Sequence, residues 1–331
     1  MPSDGAIPFT LGSLAAQLLV VAQVLLAGSP SAAEYQVKIQ PGLIYAEHDG
    51  TKLVGDLYLP KGRAKAPALV AIHGGGWRAG SRSFYQHWGT ELARDGYGLF
   101  TIEYRLGKPG VYPAAVYDAK AAIQFIRANA GSFSVDPNRI GLIGDSAGAC
   151  LAALLALAGD RFAAAYRDDA NAAVPINVKA VVGFYGIYDM LAQWTHDMQT
   201  QSRREDLAQR NRDFIVRPLD SITEEFLGVS PRQNRSRYLE SSPISYATMD
   251  RNNERTQVRF LLINGDRDDL VDSESQSGAF FAALTQAGFF AQRIAVAEAG
   301  HFWVSDPLLK RPRSYGAMVT SRLLRFLESA L

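Results

Sequence analysis

Five short apolar runs recur along the chain, at residues 68–72, 98–102, 140–143, 178–184 and 258–263, each bounded by glycine or polar residues. A strand with both faces covered is apolar at every position rather than at every second one. Helix-compatible stretches separate these runs, among them 114–129, 147–157, 275–287 and 315–330. Strand and helix in alternation predict a mostly parallel sheet with helices on both faces. Ahead of the repeat, 43–48 and 52–59 alternate in hydropathy across Asp49-Gly50, the signature of an antiparallel hairpin. With a last run at 294–297, the pattern predicts an eight-stranded α/β sheet.

One segment breaks the repeat. From about 190 to 255 there is no strand signal, and 201–217 is polar and rich in charge. A structureless loop of that length does not suit a compact domain, so the segment reads as an inserted, partly helical cap. The stretch Met190-Leu191-Ala192-Gln193-Trp194 at its start offers apolar lining for a site.

Charge narrows the class of partner. The 34 basic and 33 acidic residues among 331 leave a net charge of +1, without the basic footprint of a nucleic-acid binder. The single cysteine, Cys150, excludes an intrachain disulfide and a cysteine-based zinc site. Residues 5–33 carry no charged side chain, and small residues stand at Ser31 and Ala33. This reads as a signal peptide over 1–33, cut before Glu34, which places the domain 34–331 in the periplasm or outside the cell with no stable membrane insertion. The n-region departs from that pattern in having Asp4 and no Lys or Arg, and an uncleaved anchor is the competing reading.

Four motifs carry chemistry. Gly144-Asp145-Ser146-Ala147-Gly148 follows the run 140–143 and leads into a helix of small residues. That strand-turn-helix context is what a nucleophile elbow requires, whereas a plain turn with a serine cap is the simpler alternative. His73-Gly74-Gly75-Gly76-Trp77 ends the run 68–72, and its glycines free backbone N–H groups to face a developing oxyanion. His73, ahead of them, reads as orienting the loop. The acidic cluster Asp266, Asp268, Asp269 and Asp272 follows the run 258–263, and Gly300-His301-Phe302 follows 294–297. In the chain order serine, acid, histidine, only His301 lies beyond the acidic cluster; His196 falls in the cap.

These motifs, with Tyr104-Arg105-Leu106, Tyr112-Pro113, Asp118, Asp136 through Ile140, Ser242-Pro243 and Gly265 through Val271, resemble the α/β-hydrolase esterases of the hormone-sensitive-lipase-like branch. The resemblance is nearest to the bacterial feruloyl/acetyl esterase (BD-FAE) type. It implies a serine carboxylesterase with Ser146 as nucleophile, Asp268 as the acid and His301 as the base. It also implies oxyanion donors at the backbone of Gly75, Gly76 and Ala147, and architectural roles for Arg105, Asp118 and Arg139. The implied substrate is a small-molecule ester, with no cofactor or metal. The polar cap favours short acyl groups. An arylformamidase shares this loop and triad type, and a non-catalytic hydrolase-fold binding module is the reading from another class. The sequence carries no signal for an oligomeric state.

Overall fold

The sheet in this computed structural model is built from the expected runs, some of them longer and some shorter than expected. The structure describes residues 34–162, 165–166, 169–210, 221–248, 257–306 and 314–331. The expected signal peptide at 1–33 lies outside them, as do residues 211–220 and 249–255 of the expected cap. Among the described residues no helix is long and apolar enough to cross a membrane.

The strands are β1 (Val37–His48), β2 (Thr51–Pro60), β3 (Ala66–Ile72), β4 (Gly98–Ile102), β5 (Val135–Asp145), β6 (Ala180–Phe184), β7 (Arg259–Gly265) and β8 (Ala291–Val296). They form one sheet in the order β1-β2-β4-β3-β5-β6-β7-β8. The pairs β1–β2 and β2–β4 are antiparallel, and every other pair is parallel. β1 starts six residues earlier than its apolar run, because a register shift between Gln40 and Leu43 absorbs Pro41-Gly42. Gly42, at φ 69°, donates its N–H to Asp56 Oδ1 at 2.8 Å. A bulge thus admits a dipeptide that reads locally as a strand breaker.

The continuous apolar runs feed two cores. In β3, Ala68, Val70 and Ile72 face one side while Leu69 and Ala71 face the other. In β7, Phe260 and Leu262 are set against Leu261 and Ile263 in the same way. Helices α1 (Gln86–Arg94), α2 (Ala114–Ala128), α3 (Ala147–Ala158), α4 (Met190–Arg210), α5 (Ile222–Leu227), α6 (Arg235–Ser241), α7 (Ala279–Gln286) and α8 (Tyr315–Ala330) follow in chain order. Residues of α2, α3 and α7 close the first core, and those of α1 and α8 close the second. α3 is buried along its whole length, which suits its alanines and leucines. Between β6 and β7 the described residues contain α4, α5 and α6 and no strand.

Arg105, Asp118 and Arg139 take up the architectural places expected of them. Arg105 grips Asp118 through Nε and Nη2, the latter at 2.8 Å, and also pairs with Asp49. Asp118 accepts from His48 Nδ1 at 2.6 Å, and His48 Nε2 reaches Asp169 at 2.9 Å. Arg139 holds the Leu331 carbonyl at the chain end.

Candidate active site

The site begins where β5 turns into α3. Ser146 stands alone between Asp145, the last strand residue, and Ala147, the first helical one, at φ 50° and ψ −119°. A side chain in that region stores about 1–3 kcal/mol of strain, so the surroundings must enforce it. They do so through the Ser146 N–H, donated to the Phe184 carbonyl of β6 at 2.8 Å. Gly148 lies so near the Ile72 and His73 carbonyls that a Cβ would overlap them. The sharp turn therefore needs glycine for close approach of β3 to α3. As the first residue of α3, Ala147 has an N–H with no intrahelical acceptor.

His301 joins the other two strand ends. Its Nε2 lies 3.0 Å from Ser146 Oγ, and its Nδ1 lies 2.6 Å from Asp268 Oδ2. Both the His301 and Asp268 side chains are almost fully buried. Asp268 Oδ1 accepts the N–H groups of Leu270 and Val271, each at 3.0 Å, which leaves Oδ2 aimed at the imidazole. The neighbouring aspartates are engaged elsewhere or turned outward. Asp266 accepts the Glu298 N–H, Asp272 accepts the Ser275 N–H, and Asp269 is exposed. The Tyr185 ring packs 4.4 Å from the imidazole centroid, and that of Phe302 lies at 4.5 Å.

The glycine loop after β3 lies beside this elbow. Gly75, Gly76 and Trp77 have φ of 108°, 61° and 57°, three left-handed residues in succession. The Gly75 carbonyl accepts from the Arg78 and Ala79 N–H groups, closing the turn. Gly74 donates its N–H to Asp145 Oδ1, so this donor is already engaged. Gly74 is not among the expected donors; of those, Gly75 and Gly76 stand outside any strand ladder. His73 orients the loop as its position suggested: its buried Nδ1 is 2.7 Å from the Gly74 carbonyl, and its ring stacks on Tyr104 at 4.5 Å. Burial lowers its pKa, so at neutral pH the imidazole donates as a neutral group.

Two features of the site carry no sequence signal. Burial pushes the Asp145 carboxyl up to about 6, against the opposing pull of the Gly74 N–H. The cap stretch read as apolar lining also divides in role. Met190 is fully buried in the core, Leu191 and Trp194 are half-buried against it, and Gln193 is fully buried beside the acid turn. From α5, Phe226 stacks on Trp77 at 4.2 Å, and Ile222 comes within 3.7 Å of where a Gly76 Cβ would stand.

The chain is similar to known proteins in sequence and in fold. The BD-FAE family profile matches residues 55–284, more than half of the chain. Esterase LipC of Mycobacterium tuberculosis is 31% identical over 220 residues, which cover 66% of this chain and 48% of that protein. Esterase LipQ of the same organism is 30% identical over 233 residues, 68% of this chain and 47% of that protein. The chain thus spans about half the length of these curated relatives. Among solved structures, a truncated carbohydrate esterase from gut microbiota superposes with a TM-score of 0.67 at 23% identity, covering 92% of this chain and 99% of that one. The thermophilic esterase Est2 of Thermogutta terrifontis gives 0.65 at 21% identity, over 91% and 94%. On an α/β-hydrolase fold with its serine at the β5–α3 turn, the chain belongs to the BD-FAE family.

Proposed function

We propose that the chain is a serine carboxylesterase that hydrolyses short-chain acyl esters. The single observation that carries this reading is the position of His301, 3.0 Å from Ser146 Oγ and 2.6 Å from Asp268 Oδ2. In this reading His301 Nε2 takes the Ser146 proton as Oγ attacks the ester carbonyl, and Asp268 holds the imidazole tautomer and stabilises its cation. The N–H groups of Gly75, Gly76 and Ala147 bind the oxyanion, each such donor being worth about 10²–10³ in rate. The tetrahedral species collapses to an acyl-serine, and His301 passes its proton to the leaving alcohol. Water repeats the sequence and releases the acid. The preference for short acyl groups is supported by the polar sequence of 201–210 and by Ile222 standing close over Gly76.

Purified chain is assayed on p-nitrophenyl acetate, butyrate and octanoate and on N-formylkynurenine, alongside Ser146→Ala, with fluorophosphonate labelling of both. Turnover falling from butyrate to octanoate, with labelling confined to Ser146, is the expected result. Labelling that persists in Ser146→Ala overturns the nucleophile. An octanoate rate well above acetate overturns the acyl preference, and formamide turnover without ester turnover overturns the esterase reading.

A further inference from the structure

A buried polar chain runs through the cap and connects the two loops that flank Ser146. At one end is the acid turn. The Leu270 peptide gives its N–H to Asp268 Oδ1 at 3.0 Å, and its carbonyl accepts Gln193 Nε2 at 2.9 Å. The same Nε2 donates to Asp197 Oδ1 at 2.8 Å, one helical turn further along α4. Asp197 Oδ2 accepts Ser221 Oγ at 2.7 Å, and Ser221 Oγ in turn accepts the Thr223 N–H as the N-cap of α5. At the other end, α5 carries Phe226, stacked on Trp77, and Ile222, which covers Gly76. Gln193, Asp197, Ser221 and Thr223 are all buried, none more than 3% exposed.

Burying four polar side chains in sequence costs desolvation that is recovered only where their polar atoms find partners, and among these four side chains Gln193 Oε1 finds none. The partner Gln193 finds outside the cap is the peptide that orients Asp268. We infer that Gln193 is a positioning residue for the reaction proposed above, and that the Gln193–Asp197–Ser221 chain sets the acid turn and the glycine loop in a common register. The inference rests on the esterase reading. It assigns the cap a role in the geometry of catalysis in addition to covering the substrate.

A methionine at 193 keeps length and volume and removes both donated hydrogen bonds. A matched control exists in α2. Gln124 is also buried, 3% exposed against 0% for Gln193, and its Nε2 also donates twice, to the Ala172 and Val174 carbonyls. Gln193→Met and Gln124→Met are compared on p-nitrophenyl acetate, with active sites titrated by a phosphonate so that kcat is expressed per functional serine. Thermal unfolding is recorded for both. The expected result is similar loss of thermal stability in the two variants, with kcat per titrated site about 10–100-fold lower in Gln193→Met alone and KM within about threefold of wild type, as for an interaction made in the transition state. Gln193→Glu, which offers acceptors where donors are needed, is expected to lose at least as much. Equal kcat per titrated site in the two methionine variants overturns the positioning role alone. Failure of the wild-type chain to turn over ester or to label at Ser146 overturns the proposed function and this role with it.

Discussion

Gly74 donates its backbone N–H to Asp145 Oδ1 at 2.9 Å, so the residue just before Ser146 also anchors the loop that carries Gly75 and Gly76. The elbow and the candidate oxyanion loop are thereby one mechanical unit, with a buried carboxyl at the joint. Asp145 is only 4% exposed, and its burial raises its pKa to about 6.

That shift has a sign that can be tested. The folded Asp145 binds its proton more tightly than an unfolded carboxyl at about 3.9, so its contribution to stability declines as pH rises from about 4 to about 6. Asp145→Asn removes the decline while keeping an oxygen for the Gly74 N–H. Urea unfolding at pH 4 is expected to give similar stability for both proteins. At pH 8 the variant is expected to be more stable, by up to about 3 kcal/mol. Equal stability at pH 8 would mean that the charge is compensated in place.

His48 is expected to work in the opposite direction from a buried neutral histidine. Burial alone would lower its pKa, but the hydrogen bonds to Asp118 and Asp169 outweigh that effect and raise it. The stabilisation is therefore full below the unfolded histidine value of about 6.5 and is lost as pH climbs through the higher folded value. His48→Gln is expected to cost about 2 kcal/mol at pH 6 in urea unfolding, and less by pH 8.5. A deficit that grows with pH would contradict the imidazolium assignment.

Among the four aspartates after β7, only the Asp268 side chain reaches His301. Asp268→Asn is expected to lower kcat on p-nitrophenyl acetate by roughly 10⁴, as wrong-tautomer triads do. Asp266→Asn and Asp269→Asn are expected to stay within about fivefold of wild type, since their carboxylates touch other groups or none of the site. A larger loss in either of those two would reassign the acid.

Gly75 combines a φ of 108° with a Cβ position that overlaps the Ala79 carbonyl. Gly75→Ala is expected to displace the loop and lower kcat by about 10²–10³, the cost of losing an oxyanion donor. Gly62→Ala serves as the comparison, in the turn between β2 and β3, at φ 85° with open space around the added carbon. It carries backbone strain away from the glycine loop, so its kcat is expected to remain near wild type. Steady-state rates on a short ester measure both.

Much of the scaffold is written locally. The runs 68–72, 140–143 and 258–263 are apolar at consecutive positions because β3, β5 and β7 are covered on both faces, and that requirement holds whatever the loops do. Ser146 was legible for a similar reason, since a strand-to-helix turn tight enough to expose a side chain at positive φ demands small neighbours on either side, whereas His301 was legible from chain order, as the one histidine beyond the acidic cluster. The antiparallel edge was only half legible: Pro41-Gly42 resembles a strand end, and a bulge paired with β2 carries the strand through it. The choice of Asp268 over its three neighbours was carried by family resemblance, and what physically distinguishes it is a folded turn. Its Oδ1 is occupied by two N–H groups of that turn, and its Oδ2 is left to an imidazole 33 positions away. Gln193 shows the same limit more sharply. Helical periodicity can mark which face of α4 is inward, but a glutamine reads alike whether solvated or buried. Its partner Leu270 lies 77 positions on, beyond a strand and two further helices, so only the completed topology brings donor and carbonyl together and gives the buried Nε2 its partner.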